Sequence, residues 1–237
     1  MSAFTVRPVR RNDLSALAAL EQRIWRPLAT PALSENDFRA WHEEDSPYFL
    51  LAEDEAGVCA YTFARQIRFS YTPADIAAFH RIGEHGVSTY PHDPNGNSIY
   101  GISIASERKG AGGALIRYRH EALEANRVPF IIGFSRLAGF ASYLQSAEEA
   151  IKGLPDDPNA IALWYAHECA RRSSMRSWGR CRAQPQVALP PVPTPDPVLG
   201  FHARHTRYGI LDVVPGYLPD PESRNYGVSI LSGYPHR

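Results

Sequence analysis

The sequence predicts an α/β fold: a mixed, mostly antiparallel sheet with a central parallel pair of strands and helices on both faces. Three observations lead to this prediction. Apolar and polar residues alternate in FTVRPV, residues 4–9, as in a half-buried strand. Segments 48–54 and 58–69 are rich in strand-forming residues and are separated by the turn EAG, which predicts a hairpin. Residues 98–134 follow the pattern of strand, glycine turn, helix and buried strand. This is a βαβ unit, and it supplies the parallel pair.

Helical patterns fill much of the remaining chain. A first helix is expected to follow residue 13 and to end before Pro27, and SENDFRAWHEE predicts a second. Residues 142–173 are mainly helical, with a break at GLPDDPN. Six prolines between Pro185 and Pro197 favour an extended connector. LGFHARH then predicts a short helix, and YGILDVV and YGVSI predict two strands. The candidate capping residues are Asn12 or Asp13, Ser34, and Asp157 or Asn159.

Composition places the chain among ordinary globular proteins. It has 237 residues, 44% of them hydrophobic, which suits one large domain with a core. Its 25 cations balance 25 anions, so a basic nucleic-acid-binding surface is not expected. No apolar run approaches the ~20 residues that cross a bilayer, and the N-terminal stretch lacks the apolar segment of a signal peptide. We therefore expect a single cytoplasmic domain over residues 1–237, with neither nucleic acid nor a membrane as partner.

Cysteine usage gives no sign of a disulfide or metal framework. The chain has an odd number of cysteines, three, and no CxxC motif, which favours a reducing compartment. They are Cys59, Cys169 and Cys181. We expect them to be small buried side chains. His202 and His205 have no third ligand at a matching spacing, so no metal site is predicted.

The stretch ERKGAGGALI, residues 107–116, carries the strongest functional signal. Three glycines and two cations, Arg108 and Lys109, stand between a predicted strand and a predicted helix. A helix N-terminus has unpaired N–H groups and a partial positive charge. Glycines let phosphate oxygens approach those groups. The pattern predicts a phosphate site, and the alternative is a tight turn that holds no ligand.

Two common nucleotide-binding motifs do not match this turn. A Walker A loop requires GxxxxGK followed by Ser or Thr, and the sequence has no such string. A dinucleotide-binding fingerprint requires a third glycine where Leu115 stands. It also requires an acidic residue at the end of the next strand, where FIIGF has none.

The turn resembles the signature of the GNAT superfamily of acyl-CoA-dependent N-acyltransferases: a strand, then Arg/Gln-x-x-Gly-x-Gly/Ala, then an aliphatic helix. Gly110 and Gly112 take the two glycine positions, and Leu115 and Ile116 the aliphatic pair. The sequence departs from the pattern at Glu107, where the family has Arg or Gln. Since a carboxylate would repel a pyrophosphate, we expect this side chain to point away from the ligand.

The resemblance covers most of the chain, because the predicted order of elements is also similar to that of the family. An atypical loop at about 70–97 and a helical, proline-rich insertion at about 142–197 are the exceptions. The segments GFSRLAGFASY, LGFHARH and VVPGYLPDPESRNYGVSI resemble the C-terminal half of a GNAT subgroup, some of whose members are fused to nitrilase-like domains.

The resemblance implies a coenzyme site. Acyl-CoA, most simply acetyl-CoA, would lie where strands 98–105 and 128–134 splay apart, with its thioester carbonyl near the backbone of residues 102–105. The acceptor amine would attack this carbonyl directly, with no covalent enzyme intermediate and no metal. The residues expected to bind the coenzyme are Ile104, Ala105, Arg108, Lys109, Gly110, Ala111, Gly112, Gly113 and Ala114.

The resembled family has a tyrosine as general acid in the helix before the terminal hairpin, a few residues before a Gly-Phe pair. The matching segment here is GFHARHTRYG, where no Gly-Phe pair follows and the tyrosine position falls near His202. His202 and Tyr208, the phenol nearest in sequence, are therefore the candidate catalytic residues. The alternatives are a histidine on the helix surface and a core tyrosine of the hairpin.

The acceptor is expected to be a small-molecule amine. The loop before the glycine-turn strand supplies polar and aromatic side chains, and loops at strand ends commonly line pockets. The alternative is an ordinary polar loop. Arg136 is either a ligand for a substrate carboxylate or a surface cation. The loop residues concerned are His85, Tyr90, His92, Asp93 and Tyr100.

The leading hypothesis is an N-acetyltransferase that moves an acetyl or other short acyl group from acyl-CoA to an amine, with a homodimer as one assembly to consider. The departure at Glu107 and the missing tyrosine leave a second hypothesis open, a non-catalytic acyl-CoA-binding or ligand-sensing protein on the same fold. A third hypothesis is an interaction module whose PPVPTP segment docks into an aromatic groove of a partner.

Overall fold

The computed structural model describes residues 4–28, 31–70, 72, 74, 75, 78, 79, 90–125, 128, 130–151, 157–177, 189–206 and 208–233. These residues form two compact units. The first contains the described residues of 1–70 and 90–131, and the second contains those of 71–89 and 132–233. The single domain predicted over residues 1–237 stays a prediction.

The sheet of the first unit is built from consecutive antiparallel strands. Strands β2 and β3 form the predicted hairpin. Its turn ends at Gly57, whose φ of 110° favours glycine. Strand β5 follows β4 in the strand order, and its residues are divided between the two units after Ile131. The strands are β1 (Thr5–Pro8), β2 (Leu50–Asp54), β3 (Gly57–Ile67), β4 (Ser98–Ser106) and β5 (Phe130–Arg136).

Helices cover both faces of this part of the sheet, as predicted. They are α1 (Leu14–Trp25), α2 (Glu35–Glu43) and α3 (Ala111–Ala125). Successive side chains of a strand point to opposite faces. Tyr61 and Phe63 of β3 therefore pack with the leucines of α1 and with Phe38 of α2. Ala60 packs with Leu115 of α3 on the other face.

The second unit contains the rest of β5, three helices and three further strands. The strand order is β5-β8-β7-β6, in which β7 and β8 are antiparallel and β6 and β7 are parallel. The helices correspond to the predicted ones, including the break after residue 151. These elements are α4 (Phe140–Ile151), α5 (Pro158–Arg172), β6 (Arg176–Ser177), α6 (Pro197–His205), β7 (Tyr208–Val214) and β8 (Gly227–Gly233).

The described part of the proline-rich connector, residues 189–196, packs against aromatic side chains of its own chain. It lines a cavity of about 290 Å³ together with Tyr143 and Tyr165. The Tyr143 hydroxyl donates to the Pro190 carbonyl at 2.9 Å. The prolines that the third hypothesis assigns to a partner protein therefore contact an aromatic surface within the molecule.

The predicted fold class is confirmed: the sheet is mixed and mostly antiparallel, and β4 and β5 form the predicted central parallel pair. The short strand β6 adds a second parallel pairing, with β7. The predicted splay of this pair stays a prediction. Over the described ranges, no helix has the length and apolar character needed to span a bilayer. The same residues contain no group of three or more His, Cys, Asp or Glu side chains arranged to hold a metal ion.

Candidate active site

The glycine turn connects β4 to α3. Gly110 adopts a φ of 94°, a conformation that favours glycine, and α3 begins at the next residue, Ala111. The N–H group of Ala114 donates back to the carbonyl of Gly110 at 3.0 Å. None of the hydrogen bonds found among the described residues uses the N–H groups of Gly112 or Gly113. These two groups are the orphan donors of a helix N-terminus, the kind of donor that an anion binds, although both glycines are buried residues.

The charges around the turn are arranged so that its carboxylate is neutralised. Glu107 receives two hydrogen bonds from the guanidinium of Arg23 on α1, at 2.9 and 3.0 Å. This hydrogen-bonded cation lowers the pKa of Glu107. Arg108 lies 3.7 Å from Asp54 through its Nε atom. Lys109 is exposed and forms no salt bridge with any described residue. Its positive charge is therefore not paired with a carboxylate there, unlike the charge of Arg108.

Strand β4 contains a bulge immediately before the predicted thioester position. Ser103 pairs with Phe63 of β3, whereas Gly101 pairs with the next residue, Ala64, so Ile102 is the extra residue. Residues 101–104 are only partly buried, although β4 is an inner strand of the sheet. Bulges re-aim side chains and are frequent beside active sites. The bulge and the partial exposure distinguish residues 101–104, which precede the glycine turn on the same strand.

Neither a protein-family model nor a curated protein matches the sequence. Solved structures do match it. The GNAT-like decarboxylase GphF in complex with isobutyryl-CoA is 22% identical over 97% of this chain and 98% of that one, with a TM-score of 0.63. The loading GNATL domain of CurA from Lyngbya majuscula is 16% identical over 100% of both chains, with a TM-score of 0.63.

A protein provisionally described as a phosphinothricin N-acetyltransferase is 15% identical over 99% of both chains, with a TM-score of 0.51. All three matches extend over nearly the whole chain, and the first two carry the fold name in their descriptions. The chain has the GNAT fold. At these identities the matches establish the architecture alone, and the chemistry has to be argued from the side chains that this GNAT fold carries.

A buried acid, which the sequence analysis did not identify, lies beside the β4 bulge. Glu21 of α1 is 2% exposed, and its carboxylate accepts a hydrogen bond from the hydroxyl of Tyr61 on β3. The Tyr61 hydroxyl lies 3.0 Å from the Ser103 hydroxyl on β4. Burial raises the pKa of Glu21. The sequence signal was available: Glu21 follows Leu17 by four residues and therefore belongs to the apolar face of α1.

The candidate acid His202 lies on α6 in the second unit, where it is buried. Its carbonyl accepts hydrogen bonds from the Thr206 N–H and hydroxyl groups at 2.8 and 2.7 Å, which end the helix. The alternative of a histidine on the helix surface is therefore wrong. Tyr208 is the first residue of β7, and its side chain lies outside the described part of the chain. The catalytic roles of both residues stay predictions.

Arg136 is neither a surface cation nor available to a substrate carboxylate. Its guanidinium forms two hydrogen bonds with Asp220, at 2.7 and 2.8 Å, and one with Glu222 at 2.9 Å. The Asp220 side chain is only 1% exposed. This arginine therefore joins the end of β5 to the segment before β8.

The candidate acceptor loop is largely committed to structural contacts. The Tyr90 carbonyl accepts a hydrogen bond from Arg65 at 2.9 Å, and Asp93 pairs with Arg68 at 3.1 Å. Tyr100 is buried in β4. His92 is partly buried, and His85 lies outside the described residues.

The cysteines behave as expected where they are described. Cys59 and Cys169 are buried free thiols, and burial raises the pKa of both. Raised thiol pKa values disfavour the nucleophilic thiolate. Cys181 lies outside the described residues.

Proposed function

We propose that the chain is an acyltransferase that moves an acetyl or other short acyl group from acyl-CoA to an amine. The observation that carries the proposal is the glycine turn, where the uncommitted N–H groups of Gly112 and Gly113 open α3. These donors and the dipole of a 15-residue helix suit a pyrophosphate.

The charge arrangement at the turn supports this ligand. Glu107 departs from the family pattern and would repel a phosphate, but Arg23 compensates its charge through two hydrogen bonds. Lys109 remains to attract the anion. With Glu107 paired to Arg23, the unpaired charge of the turn is that of Lys109, which favours an anion.

The β4 bulge supports the placement of the thioester. The partly buried residues 101–104 precede the turn directly, so a coenzyme whose pyrophosphate lies on Gly112 would extend its pantetheine arm along this strand. The amine would attack the thioester carbonyl there, the C–N bond would form and the C–S bond would break. His202 and Tyr208 are the proposed donors of the proton that the leaving thiolate needs.

The matched structures agree with a CoA thioester as cosubstrate. GphF is described in complex with isobutyryl-CoA, and the third match is provisionally described as an N-acetyltransferase. No step of the proposed reaction requires a metal. The acceptor is proposed to be a small amine, and the location of the reaction to be the cytoplasm.

The likeness to GphF, a GNAT-like decarboxylase, favours a second candidate. A CoA thioester that carries a carboxylate, such as malonyl-CoA, would bind at the same turn. Its C–C bond to the carboxylate would break to release CO₂, and the α-carbon would take up a proton with the thioester intact. The two reactions leave different products, since acyl transfer releases the free thiol of CoA and decarboxylation does not.

Calorimetric titration with acetyl-CoA tests the shared binding step. Gly112→Val should abolish the heat of binding, because the branched side chain would occupy the phosphate's approach. Glu121→Val is the matched control, since Glu121 is an exposed position of the same helix and receives the same β-branched residue. Equal affinity of wild type and Gly112→Val for acetyl-CoA would show that the coenzyme does not bind at this turn. Absence of acetyl-CoA binding by wild type would contradict the proposed function.

Product analysis then separates the reactions. Release of free thiol from acetyl-CoA in the presence of an amine panel supports acyl transfer. Conversion of malonyl-CoA to acetyl-CoA supports decarboxylation. Binding with neither product would support the non-catalytic, ligand-sensing alternative.

A further inference from the structure

Glu21 is a buried carboxylate that is satisfied entirely by neutral donors. Besides the Tyr61 hydroxyl, it accepts from the Trp25 indole N–H at 2.7 Å and from the Leu33 backbone N–H at 3.1 Å. The salt bridges found in the described part of the chain do not include it. A buried carboxylate without a cation is costly, so its position on the packed face of α1 calls for an explanation.

Tyr61 connects this carboxylate to the surface of β4. The Tyr61 side chain is completely buried, and its hydroxyl lies between the Glu21 carboxylate and the Ser103 hydroxyl. A hydroxyl in that position can donate to one neighbour while it accepts from the other. The three side chains therefore form an unbroken hydrogen-bonded chain from a buried acid to a partly exposed serine.

Ser103 is held firmly at the end of this chain. Its carbonyl accepts a hydrogen bond from the Thr62 hydroxyl at 3.0 Å. Ala105 pairs with Tyr61, and Ser103 lies two residues before Ala105 on the same strand, so Ser103 faces the same side of the sheet as Tyr61. Ser103 thus lies within the stretch 102–105 to which the thioester carbonyl was assigned.

We propose that Ser103, Tyr61 and Glu21 form a proton relay that takes up the proton released by acyl transfer. This inference rests on the proposed function. Ser103 would accept the proton from the substrate amine, its own hydroxyl proton would pass to Tyr61, and the Tyr61 proton would pass to the Glu21 carboxylate. Ser103 is the group that touches substrate, and Tyr61 and Glu21 act through it.

The proton balance of the reaction leaves one proton that a base must accept. An ammonium group and acetyl-CoA give an amide, a free thiol and one proton. The C–N bond forms, the C–S bond breaks and the ammonium loses two protons. One offsets the proton that the general acid gives to the thiolate, and the second remains. Glu21 takes this second proton and returns it through the same chain to solvent after the products leave.

The proton affinities along the chain agree with this direction of transfer. Burial, together with the adjacent Glu21 carboxylate, raises the pKa of Tyr61 well above its ordinary value, so the phenol stays protonated and passes protons on. Burial also raises the pKa of Glu21, which makes it a better base than an exposed carboxylate. Among the hydrogen-bond partners of Glu21 in the described part of the chain, Tyr61 is the titratable one, since Trp25 and the Leu33 backbone do not titrate.

The test uses the full-length protein and the variants Glu21→Gln, Tyr61→Phe and Ser103→Ala. Each should lower kcat for acetyl transfer by about 10²–10⁴-fold, while the calorimetric Kd for acetyl-CoA changes less than about threefold. The acidic limb of the kcat–pH profile should disappear in Glu21→Gln and return in Glu21→Asp. Leu17→Val is the control for destabilised packing of α1, because it changes the core beside Glu21 and leaves the relay intact.

Infrared difference spectroscopy provides a readout that needs no substrate. Wild type should show a protonated carboxyl band that titrates above the ordinary range of a glutamic acid, and Glu21→Gln should lack it. A wild-type kcat and pH profile in Glu21→Gln, with acetyl-CoA still bound and turned over, would overturn the relay and leave the proposed function standing. Absence of acetyl-CoA binding by wild type would instead remove the proposed function, and the relay with it.

Discussion

Arg23 and Glu107 form a bidentate ion pair that joins α1 to the glycine turn, with N–O distances of 2.9 and 3.0 Å. The two residues are 84 positions apart in the sequence. This pair turns the one unfavourable residue of the turn into a structural contact, and it predicts how coenzyme affinity depends on a residue of α1.

Arg23→Ala should weaken acetyl-CoA binding by about three- to tenfold at low salt, because it leaves the Glu107 charge uncompensated beside the pyrophosphate. The double variant Arg23→Ala/Glu107→Gln should recover the affinity. The measurement is calorimetric Kd at two salt concentrations. Arg39→Ala breaks a surface pair with Glu35 elsewhere and should leave the Kd unchanged. Full affinity in Arg23→Ala would show that the turn does not meet an anion.

His202 and Tyr208 are predicted to deliver the proton to the leaving thiolate. Truncation of the acting residue should lower kcat by at least about 10²-fold while the Kd for acetyl-CoA changes little. Steady-state kinetics on His202→Gln and Tyr208→Phe, with a confirmed acceptor, measure this. His205→Ala is a control on the same helix. If both variants turn over at the wild-type rate, the thiolate takes its proton from another group or from water.

The free energy of unfolding should depend on pH in a way that reflects the titration of Glu21. Its folded-state pKa is raised by burial above the unfolded value of about 4.3. The protonated form therefore contributes stability that is fully present below pH ~4.3 and is lost as the pH rises through the folded pKa. Urea unfolding of wild type and Glu21→Gln across this range measures the difference, in which the other carboxylates cancel. A difference that does not change with pH would contradict a buried, titrating Glu21.

Arg136 is predicted to stabilise the second unit. Burial alone would raise the pKa of Asp220, but the hydrogen bonds from Arg136 and Ser223 keep it low, so the carboxylate is ionised in a buried position. Arg136→Met should lower the free energy of unfolding by about 3–5 kcal/mol, because it leaves the buried Asp220 carboxylate without its cation. The double variant Arg136→Met/Asp220→Asn should recover part of the loss. An unfolding free energy equal to that of wild type in Arg136→Met would show that the pair contributes nothing.

Local signals in the sequence were sufficient for most element boundaries. Ser34 and Asp157 both cap the helices that follow them, because capping depends on residues within three positions. Asp13 behaves differently. It precedes α1, but its carboxylate binds Arg7 and the Arg10 N–H instead of the helix N-terminus. An ion pair with β1 replaces the cap, and helix-start patterns contain no information about such a partner.

The sequence alone also predicted a phosphate site at the glycine turn, with Gly112 among its residues and Arg108 and Lys109 as its cations. It did not indicate the β4 bulge, because a bulge is a property of the pairing between two strands. Nor did it assign Arg136 correctly, since the carboxylate that holds this arginine is 84 residues away.

By itself, the sequence determined the order of most helices and strands and the strand–turn–helix unit around Gly110, and it predicts an anion as the ligand of that turn. Periodicity, capping and glycine conformation act over a few residues, so they can be read directly. Only the tertiary structure decided that Glu107 turns toward Arg23 and that Glu21 meets Tyr61, 40 residues further on. These contacts exist because α1 packs against the face of the sheet that carries Tyr61, and the position of a helix on a sheet depends on the whole core.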